Sequence, residues 1–435
     1  MPEYEREDYT NIYGAIMSFD KNKETPIHQW YPFVEGYASD FIKSIIDELE
    51  HKPECCLDIF SGSGTTSLEM QHMGIKCYSF EISPFMYELS RVKLRTDYTL
   101  HNFDIKLLKL KKIISNAPFN IENIEKFPKN RNYVEKEGLK KWHYDTEVMR
   151  GILDIKYAIN LINDELYSPL FRIALASILL KVSNMYRNGK CISYKKNFDK
   201  RQVLSRKEVH EYFYERLENV FRFDIENIEK SNVNQTIYNY NNCKHGDTRK
   251  LIDTLEDDSI DLLITSPPYL NSRDYTDSYI DELRVLGYMD NISSEQEYRS
   301  KTIRSHVQVK WDKNNPLEIP LLIDSYNKIK EYEKDFWNNS LLDMISGYFW
   351  DMDTIFRSLY NKMKFGGSIY FNVANSAYYE TEIEVDKIIA EIAEKNGFKV
   401  VEIREARRMK PSSQQRRHFD YLIESVIVIK KEPVV

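Results

Sequence analysis

Features that mark several large classes of protein are missing from this sequence of 435 residues. Its five cysteines form no CxxC pair and lack metal-ligand spacing, so we expect reduced thiols and no metal site. No stretch approaches the roughly 18–20 apolar residues that a membrane-spanning helix needs. The first residues, MPEYEREDYTNIYG, carry charges where a secretory signal would be apolar. These absences predict a soluble, cytoplasmic protein.

An excess of positive charge is also missing, because the formal net charge is −7. A polyanion favours a basic surface, so the total charge argues mildly against nucleic acid as a partner. Two segments nevertheless concentrate Lys and Arg: 187–207 has eight against one acid, and 404–417 has six against one. A local basic strip can bind nucleic acid on an acidic protein, although solvated surface charge explains either segment alone equally well.

The chain is rich enough in apolar residues to form a large core, with 42% hydrophobic and 13% aromatic residues. Residues 36–97 alternate helix, strand, Gly-rich loop, helix and strand, and this α/β rhythm resumes at 240–430. The pattern predicts one doubly wound parallel α/β sheet with a terminal antiparallel hairpin. We expect two parts of that sheet, 1–97 and 236–435, separated by a largely helical insert at 98–235. A second insert, at about 289–338, is polar and is predicted to be irregular.

The segment LDIFSGSGTTSLEM has the composition of a ligand-binding turn at the end of a strand. Asp58 ends the strand, and Gly62 and Gly64 allow positive φ and close approach of the backbone to a ligand. Ser67 stands where a dinucleotide fingerprint has its third glycine, and there is no P-loop lysine, which disfavours a polyphosphate. Glu81 ends the next strand and can accept hydrogen bonds from two ribose hydroxyls. The alternative for the loop alone is an ordinary strand–helix turn.

A second motif follows the apolar strand SIDLLITS, which leads directly into SPPYLNSRDYTDSY. Pro267 and Pro268 have fixed φ, so the loop between Ser266 and Tyr269 is stiff. Rigid carbonyls and a hydroxyl beside an aromatic ring suit a flat base that carries an amino group. For an isolated PPY, a Pro-Pro turn with a packing tyrosine is the better interpretation. In open α/β sheets, however, ligands bind at the carboxyl ends of the strands, where both motifs are expected.

Taken together, these motifs resemble those of the amino-methylating DNA methyltransferases. SPPY after LLIT is similar to their catalytic motif, DIFSGSGTT to their S-adenosylmethionine (AdoMet) loop, and FEISP to their ribose-binding strand end. GDT at 246–248 resembles the segment whose acid contacts the cofactor adenine. IHQWYPFVEGYASDFI resembles, more weakly, the segment that closes over the methionine part. The string SPPYLNSRDYTDSYIDELRVLG is also similar to a group of bacterial site-specific DNA methylases.

The resemblance implies a Rossmann-like AdoMet-dependent methyltransferase fold and methyl transfer to an exocyclic amino group of a flipped base in double-stranded DNA. SPPY favours cytosine-N4 over adenine-N6, and carbon-5 methylation is disfavoured because no cysteine here follows a proline. The catalytic residues implied are Ser266, Pro267, Pro268 and Tyr269. The cofactor-binding residues implied are Asp58, Phe60, Ser61, Gly62, Gly64, Thr65, Glu81 and Asp247.

Other parts of this hypothesis are less specific. Asp247 is an equally good N-cap for the helix that follows it. The candidate DNA-contacting residues, each with solvated surface as the favoured alternative, are Arg273, Arg304, Lys310, Arg416 and Arg417. We expect a role in restriction-modification or phage defence, with a cognate restriction endonuclease as a partner. An RNA or protein amino-methyltransferase remains an alternative, as does a non-catalytic DNA-binding subunit on the same scaffold.

Overall fold

The computed structural model describes residues 4–117, 132–187, 191–231, 237–271, 274–412 and 415–432. Its strands in chain order are β1 Arg6–Asp8, β2 Cys55–Asp58, β3 Lys76–Glu81, β4 Met185–Arg187, β5 Ile192–Tyr194, β6 Cys243–His245, β7 Ile260–Thr265, β8 Met363–Ala374, β9 Ser376–Tyr378, β10 Thr381–Ile383, β11 Lys399–Met409 and β12 Leu422–Lys430.

Helices fill most of the remaining described chain. The α-helices are Thr10–Tyr13, Ser39–Glu48, Thr65–His72, Pro84–Leu94, Leu100–Ser115, Thr146–Ile162, Tyr167–Val182, Arg206–Arg216, Arg222–Ser231, Thr248–Leu251, Tyr275–Ser278, Ile280–Val285, Ile292–Lys301, Pro320–Lys330, Leu341–Lys362 and Val385–Lys395. A π-helical turn, Leu217–Phe221, joins two of them, and 3-10 turns occur at Phe19–Lys23, His28–Trp30, Phe198–Lys200, Asn239–Asn242, Ile252–Thr254 and Glu333–Asp335.

One eight-stranded sheet organises the molecule, in the order β1-β11-β12-β8-β7-β2-β3-β6. Neighbouring strands are parallel except at β12, which is antiparallel to both β11 and β8. The two parts of the sheet meet where β2 pairs with β7 in parallel, through Cys56 with Leu262 and Leu57 with Leu263. The mostly parallel sheet and the terminal β11–β12 hairpin confirm the predicted fold class.

Helices cover both faces of the sheet, as a doubly wound fold requires. On one face the helices Leu341–Lys362 and Val385–Lys395 pack their apolar side chains on Leu57, Leu263 and Ile427. On the other face the helix Ser39–Glu48 packs on Cys56, Ile264 and Val426. Alternate residues of each strand point to opposite faces, so central strands such as β2 and β7 carry apolar residues on both faces.

The helices between residues 100 and 231 form a separate layer beside the sheet. They share one apolar core with the helix Pro84–Leu94, which follows β3. The helix Tyr167–Val182 is the most apolar of them, and its buried side chains include Leu170, Phe171 and Leu175. The same core also includes Trp30 and Tyr31 of the N-terminal segment and Leu283 after the SPPY loop, so the layer packs mainly on elements that cover the sheet.

The prediction of an irregular 289–338 segment was wrong in part, because it contains the helices Ile292–Lys301 and Pro320–Lys330. The first begins at a capping box between Asn291 and Ser294, and its Glu295 is buried in an ion pair with Arg284, with 2.6 Å between Nε and Oε1. The second begins with proline at its first position. Charged side chains paired inside the protein produce a polar sequence pattern that is indistinguishable from a surface loop.

Candidate active site

A cavity of about 690 Å³ lies at the carboxyl edge of the sheet. Its wall is built from loops that follow β2, β3, β6, β7 and β8, together with residues 33–37 and the segment after β11. Most of the residues singled out from the sequence line this one cavity: Phe60, Ser61, Gly62, Thr65, Glu81, Asp247, Ser266, Pro267, Pro268 and Tyr269.

The Gly-rich turn requires both of its glycines. Gly62 has φ +49°, and a Cβ atom there would lie 2.9 Å from the ring of Phe33. Gly64 has φ +78° and caps the helix Thr65–His72, and a Cβ atom there would overlap the hydroxyl of Ser90. Gly64 does not line the cavity, so it shapes the turn whereas Gly62 lies on the wall.

A buried lysine supports this turn from inside the protein. The Nζ atom of Lys93 donates to the carbonyl of Ser63 at 3.0 Å, and the side chain is 1% exposed. Burial alone lowers the pKa of Lys93 to about 7. No sequence pattern indicates this contact, because Lys93 stands in an amphipathic helix where a lysine is usually solvated.

Glu81 bridges the Gly-rich turn and the next loop. Its Oε2 accepts from the backbone N–H of Gly62 at 2.7 Å, and its Oε1 accepts from that of Ser83 at 2.7 Å. Burial raises the pKa of Glu81 to about 7, against the lowering effect of these hydrogen bonds. An acceptor on the cavity wall is thus held in place by two backbone donors.

Asp58 does not line the cavity, although it ends the strand that leads to it. It is buried, and its Oδ1 accepts from the hydroxyl of Thr265 at 2.7 Å and from the N–H of Phe60 at 3.1 Å. Burial raises its pKa to about 6. Asp58 therefore joins the ends of β2 and β7 behind the wall and fixes the two loops relative to each other.

Asp247 lies on the wall and also caps a helix, so both sequence interpretations describe its position. Its Oδ1 accepts from the N–H of Arg249 at 3.0 Å at the start of Thr248–Leu251. The guanidinium of Arg249 binds the same carboxylate at 2.9 and 2.8 Å, and it also reaches Asp351 at 2.9 Å. This pairing fixes the carboxylate at the cavity.

The SPPY loop is held by polar side chains from the C-terminal strands. The hydroxyl of Tyr269 donates to Oε1 of Glu424 at 2.6 Å. The amide of Asn372 donates to the Tyr269 oxygen at 2.9 Å, to Glu424 at 3.0 Å and to Oγ of Ser266 at 3.2 Å. Arg407 forms an ion pair with the other oxygen of Glu424. All five side chains line the cavity.

Sequence reasoning missed Asn372, Glu424 and Arg407. The first two are polar residues in the apolar strands SIYFNVA and LIESVIVIK, and this interruption was the available signal. A buried polar residue in such a strand needs a partner, and here the partners belong to a loop more than 100 residues earlier in the chain.

The N-terminal segment closes another side of the cavity. Phe33, Glu35 and Tyr37 line it, and the Phe33 ring stacks on that of Tyr279 with 5.8 Å between centroids. Glu35 accepts a hydrogen bond from the hydroxyl of Tyr279, and burial raises its pKa. Residues 33–37 and the segment after SPPY thus form one continuous wall.

The predicted DNA-contacting residues differ in their surroundings. Arg273 lies outside the described residues. Arg304 is bound to Asp351 at 2.8 Å, with 18% of its side chain exposed, so it stabilises the interior. Lys310 is exposed but does not line the cavity. Arg416 and Arg417 are exposed and adjoin Gln415, which does line it.

Each of the two basic segments begins with an arginine that is engaged within the protein. Arg187, which begins the first segment, is buried in an ion pair with Glu282, with 3.0 Å between Nη2 and Oε1. Arg404, which begins the second, binds Glu48 at 2.9 Å. Exposed cations occur at Lys410, Arg416 and Arg417, beyond the end of β11, and in the first segment at Lys196, Lys200 and Lys207.

Trp337 is an exposed aromatic residue at the cavity that the sequence did not single out. Its side chain lines the cavity, and the residue is 56% exposed. Its backbone N–H donates to the hydroxyl of Tyr379 at 3.0 Å, and that hydroxyl donates to the carbonyl of Asp335 at 2.9 Å. The loop is therefore fixed while the indole stays open to solvent.

Two features are absent from the described residues. No group of His, Cys, Asp and Glu residues in those ranges could hold a metal ion. No helix in the same part of the chain is long and apolar enough to cross a membrane.

Comparison with known sequences associates the chain with one family. Residues 5–92 match the sequence profile of a family of N6/N4 methyltransferases described as DNA methylase. This region contains the N-terminal wall, the Gly-rich turn and Glu81.

Relatives align along most of the chain. The Type II methyltransferase M.AvaI of Nostoc sp. (strain PCC 7120) is 27% identical, covering 91% of this chain and 84% of the relative. M.BsoBI of Geobacillus stearothermophilus is 25% identical, covering 92% and 84% respectively. M.MvaI of Kocuria varians is 22% identical, covering 88% and 84%.

Among solved structures, the chain aligns with TTHA0409 of Thermus thermophilus, described as a DNA modification methylase. In its complex with S-adenosyl-L-methionine, that protein is 16% identical, with a TM-score of 0.22, over 44% of this chain and 55% of the other.

Proposed function

The chain belongs to the amino-methylating (N4/N6) DNA methyltransferases, which are AdoMet-dependent enzymes, and from that membership we propose that it methylates a base amine within a specific double-stranded DNA sequence. The observation that carries the proposal is the shared cavity, because Gly62 and Ser266 lie on the wall of one 690 Å³ space. A methyl donor and a base can therefore meet there.

The Gly62 side of the cavity suits AdoMet. AdoMet supplies an electrophilic methyl group on its sulfonium when bound. Glu81 is an acceptor on the wall that can take hydrogen bonds from both ribose hydroxyls. Gly62 leaves space where a Cβ atom would crowd Phe33, and the carboxylate of Asp247 can accept from the adenine amine. Phe60, Ser61 and Thr65 complete this side.

The SPPY side suits a base that carries an amino group. The lone pair of such an amine is delocalised into the ring, so the nitrogen is a poor nucleophile. Oγ of Ser266 and the carbonyl of Pro267 can accept its two N–H groups, which favours a pyramidal nitrogen with its lone pair directed at the methyl group. Catalysis then rests on preorganised acceptors and in-line positioning, without a covalent enzyme intermediate.

The target base must leave the duplex to enter the cavity. Tyr269 supplies a ring on which it can stack, and stacking on an aromatic ring contributes about 1–3 kcal/mol per base. This is comparable with the few kcal/mol that unstacking costs. We assign the base as cytosine, methylated at N4, from the serine that begins SPPY, with adenine-N6 as the alternative.

The surface around the cavity mouth is the proposed DNA-binding face. Arg416 and Arg417 supply exposed positive charge beside the cavity, and Lys310 is a further exposed cation. The exposed indole of Trp337 offers a flat apolar contact. We retain the division into 1–97, 98–235 and 236–435, with the helical insert as a candidate target-recognition region.

The biological role proposed is protection of host DNA in restriction-modification, or phage defence. The relatives are named Type II methyltransferases, which supports pairing with a cognate restriction endonuclease.

The decisive experiment measures incorporation of labelled methyl groups from AdoMet into DNA, tRNA and protein. We expect incorporation into double-stranded DNA alone. Ser266→Ala should lower kcat by about 100-fold or more, as loss of one preorganised hydrogen bond does elsewhere, and leave AdoMet affinity unchanged. Incorporation into tRNA would instead indicate an RNA methyltransferase. DNA binding that does not depend on AdoMet, without methyl transfer, would indicate a non-catalytic subunit.

A second experiment identifies the base and the recognition sequence. DNA from a methylation-free bacterial host that expresses the chain is sequenced with detection of modified bases. N4-methylcytosine at one recurrent sequence is expected, whereas N6-methyladenine would overturn the choice of base.

A further inference from the structure

A chain of hydrogen bonds leads from the cavity into the C-terminal hairpin and ends at a buried carboxylate. Glu424 is 1% exposed, and its Oε1 receives the hydroxyl of Tyr269 and the amide of Asn372. The same amide also reaches Ser266 and Tyr269. Arg407 binds Oε2, which balances the buried charge.

The carboxylate fixes the direction of these hydrogen bonds, because an ionised Glu424 can only accept. Tyr269 has one hydroxyl hydrogen and gives it to Glu424 at 2.6 Å, so its oxygen offers lone pairs to the other members. The amide of Asn372 must likewise turn its NH₂ group to Glu424, because its oxygen would be repelled by the carboxylate.

The orientation of the Asn372 amide costs free energy, which indicates that a stronger interaction imposes it. The residue is 2% exposed, and its Oδ1 has no hydrogen-bond partner in the part of the chain that the structure describes. A buried acceptor without a partner is unfavourable. Turning the amide would expose its other end to Glu424, so the carboxylate decides the orientation.

The hydroxyl of Ser266 is oriented by these hydrogen bonds. Its Oγ receives a hydrogen bond from Asn372 at 3.2 Å, and the acceptor for its own hydrogen within the group is the Tyr269 oxygen at 3.5 Å. The hydroxyl hydrogen is thereby directed at the Tyr269 oxygen, and a lone pair of Oγ is left for the cavity. An amine N–H needs a lone pair there, whereas an outward hydrogen would oppose it.

We propose that Glu424, acting through Asn372 and Tyr269, keeps the hydroxyl of Ser266 oriented as an acceptor for the target amine. Glu424, Asn372 and Arg407 are thus positioning residues, and they come from strands outside both sequence motifs. This inference rests on the proposed function, in which Ser266 binds the amine of the base.

The test replaces Glu424 with glutamine, which has nearly the same shape but carries a donor as well as an acceptor. The side chain at position 424 then no longer forces Tyr269 and Asn372 to act as donors toward it. We expect Glu424→Gln to lower kcat for methyl transfer to DNA by about 10-fold to 100-fold, the range for losing a hydrogen bond to a charged group. AdoMet affinity, measured by calorimetry, should not change.

A double-mutant cycle separates positioning from a general structural role. Because Glu424 acts through Ser266, the double variant Ser266→Ala/Glu424→Gln should be no slower than Ser266→Ala alone. Glu405→Gln is the matched control, since Glu405 is a buried glutamate of the same hairpin, pairs with Arg408 and does not line the cavity. It should keep the wild-type kcat.

Tyr269→Phe provides a second route that keeps the ring and removes the hydroxyl between Ser266 and Glu424. It should also lower kcat, and its effect should not add to that of Glu424→Gln. Wild-type kcat in Glu424→Gln, or additive effects with Ser266→Ala, would overturn the inference. A wild-type chain that transfers no methyl group to DNA would instead overturn the proposed function.

Discussion

Glu81 is half-buried on the cavity wall and is held by two backbone donors, and its protonation state should matter for the proposed binding of AdoMet. Burial raises its pKa to about 7, so the free protein holds it partly protonated at neutral pH. The ionised carboxylate is a stronger acceptor and has no O–H that would oppose a donor, so the proposed binding of the ribose hydroxyls favours the ionised form.

AdoMet affinity should consequently depend on pH through Glu81. Above the pKa of Glu81 the carboxylate is already ionised, so the AdoMet dissociation constant should not change with pH. Below this pKa the dissociation constant should rise by up to about tenfold for each unit by which the pH is lowered. Calorimetric titrations at about pH 6, 7 and 8.5 would span this pKa, with Glu81→Gln as the control for other ionisable groups. Equal slopes in wild type and Glu81→Gln would contradict the assignment.

At the residue scale, the sequence predicted those site residues that stand in compact motifs. Gly62, Glu81 and Ser266, which line one cavity, were singled out because each stands at or just after the end of an apolar strand and belongs to a recognisable string. Asn372 and Glu424 were not, since each is a single polar residue whose meaning depends on a partner far along the chain. Pairing between strands fixes such partners, and a local pattern carries no information about it.

The loop between β11 and β12 carries both cavity-lining residues and exposed positive charge. Lys410, Pro411, Ser412 and Gln415 line the cavity, and Arg416 and Arg417 follow them on the surface. His418 lies 3.6 Å from Glu380, beside the turn that holds the Trp337 loop through Tyr379. The basic loop and the exposed indole are therefore neighbours at the mouth.

Neutralising this loop should change how salt affects DNA binding. Each cation that contacts a phosphate contributes about 0.9 to the slope of log K against log salt concentration. Arg416→Gln/Arg417→Gln should therefore lower the slope by up to about 1.8. Lys399→Gln is the control, because Lys399 lies at the other end of β11, its side chain is 60% exposed and it does not line the cavity. A slope unchanged from wild type would remove the loop from the interface.

At the element scale, apolar periodicity located most strands and the long helices, including Leu341–Lys362 and Val385–Lys395. It failed for Ile292–Lys301, whose Glu295 and Arg299 are buried in ion pairs. Periodicity assumes that polar residues face water, and this helix violates the assumption.

The whole molecule depends on contacts between parts that are distant in sequence. Arg187 from the helical layer reaches Glu282, which follows the SPPY loop, and Tyr31 from the N-terminal part. Tyr31 in turn donates to Glu282 at 2.6 Å. One buried ion pair thus connects all three predicted divisions of the chain beside the cavity wall.

Arg187→Met should be strongly destabilising, because it leaves the buried carboxylate of Glu282 without its cation. The cost expected is about 3–5 kcal/mol, measured as a shift in the urea unfolding midpoint. Arg187→Met/Glu282→Leu should recover much of the loss, since the unpaired charge is also removed. Lys207→Met, at an exposed ion pair, should have little effect. Wild-type stability in Arg187→Met would show that Glu282 is not dependent on this partner.

The cavity is assembled from residues as far apart as Phe33 and Glu424, and this has a consequence for biosynthesis. The ribosome makes the Gly-rich turn, the proposed donor-binding element, long before it makes Glu424, the carboxylate proposed to orient Ser266. Contacts of such long sequence separation also form slowly. If Glu424 positions Ser266 as proposed, a chain that stops before β12 should hold the donor side of the cavity without an oriented acceptor, and we expect it not to methylate DNA.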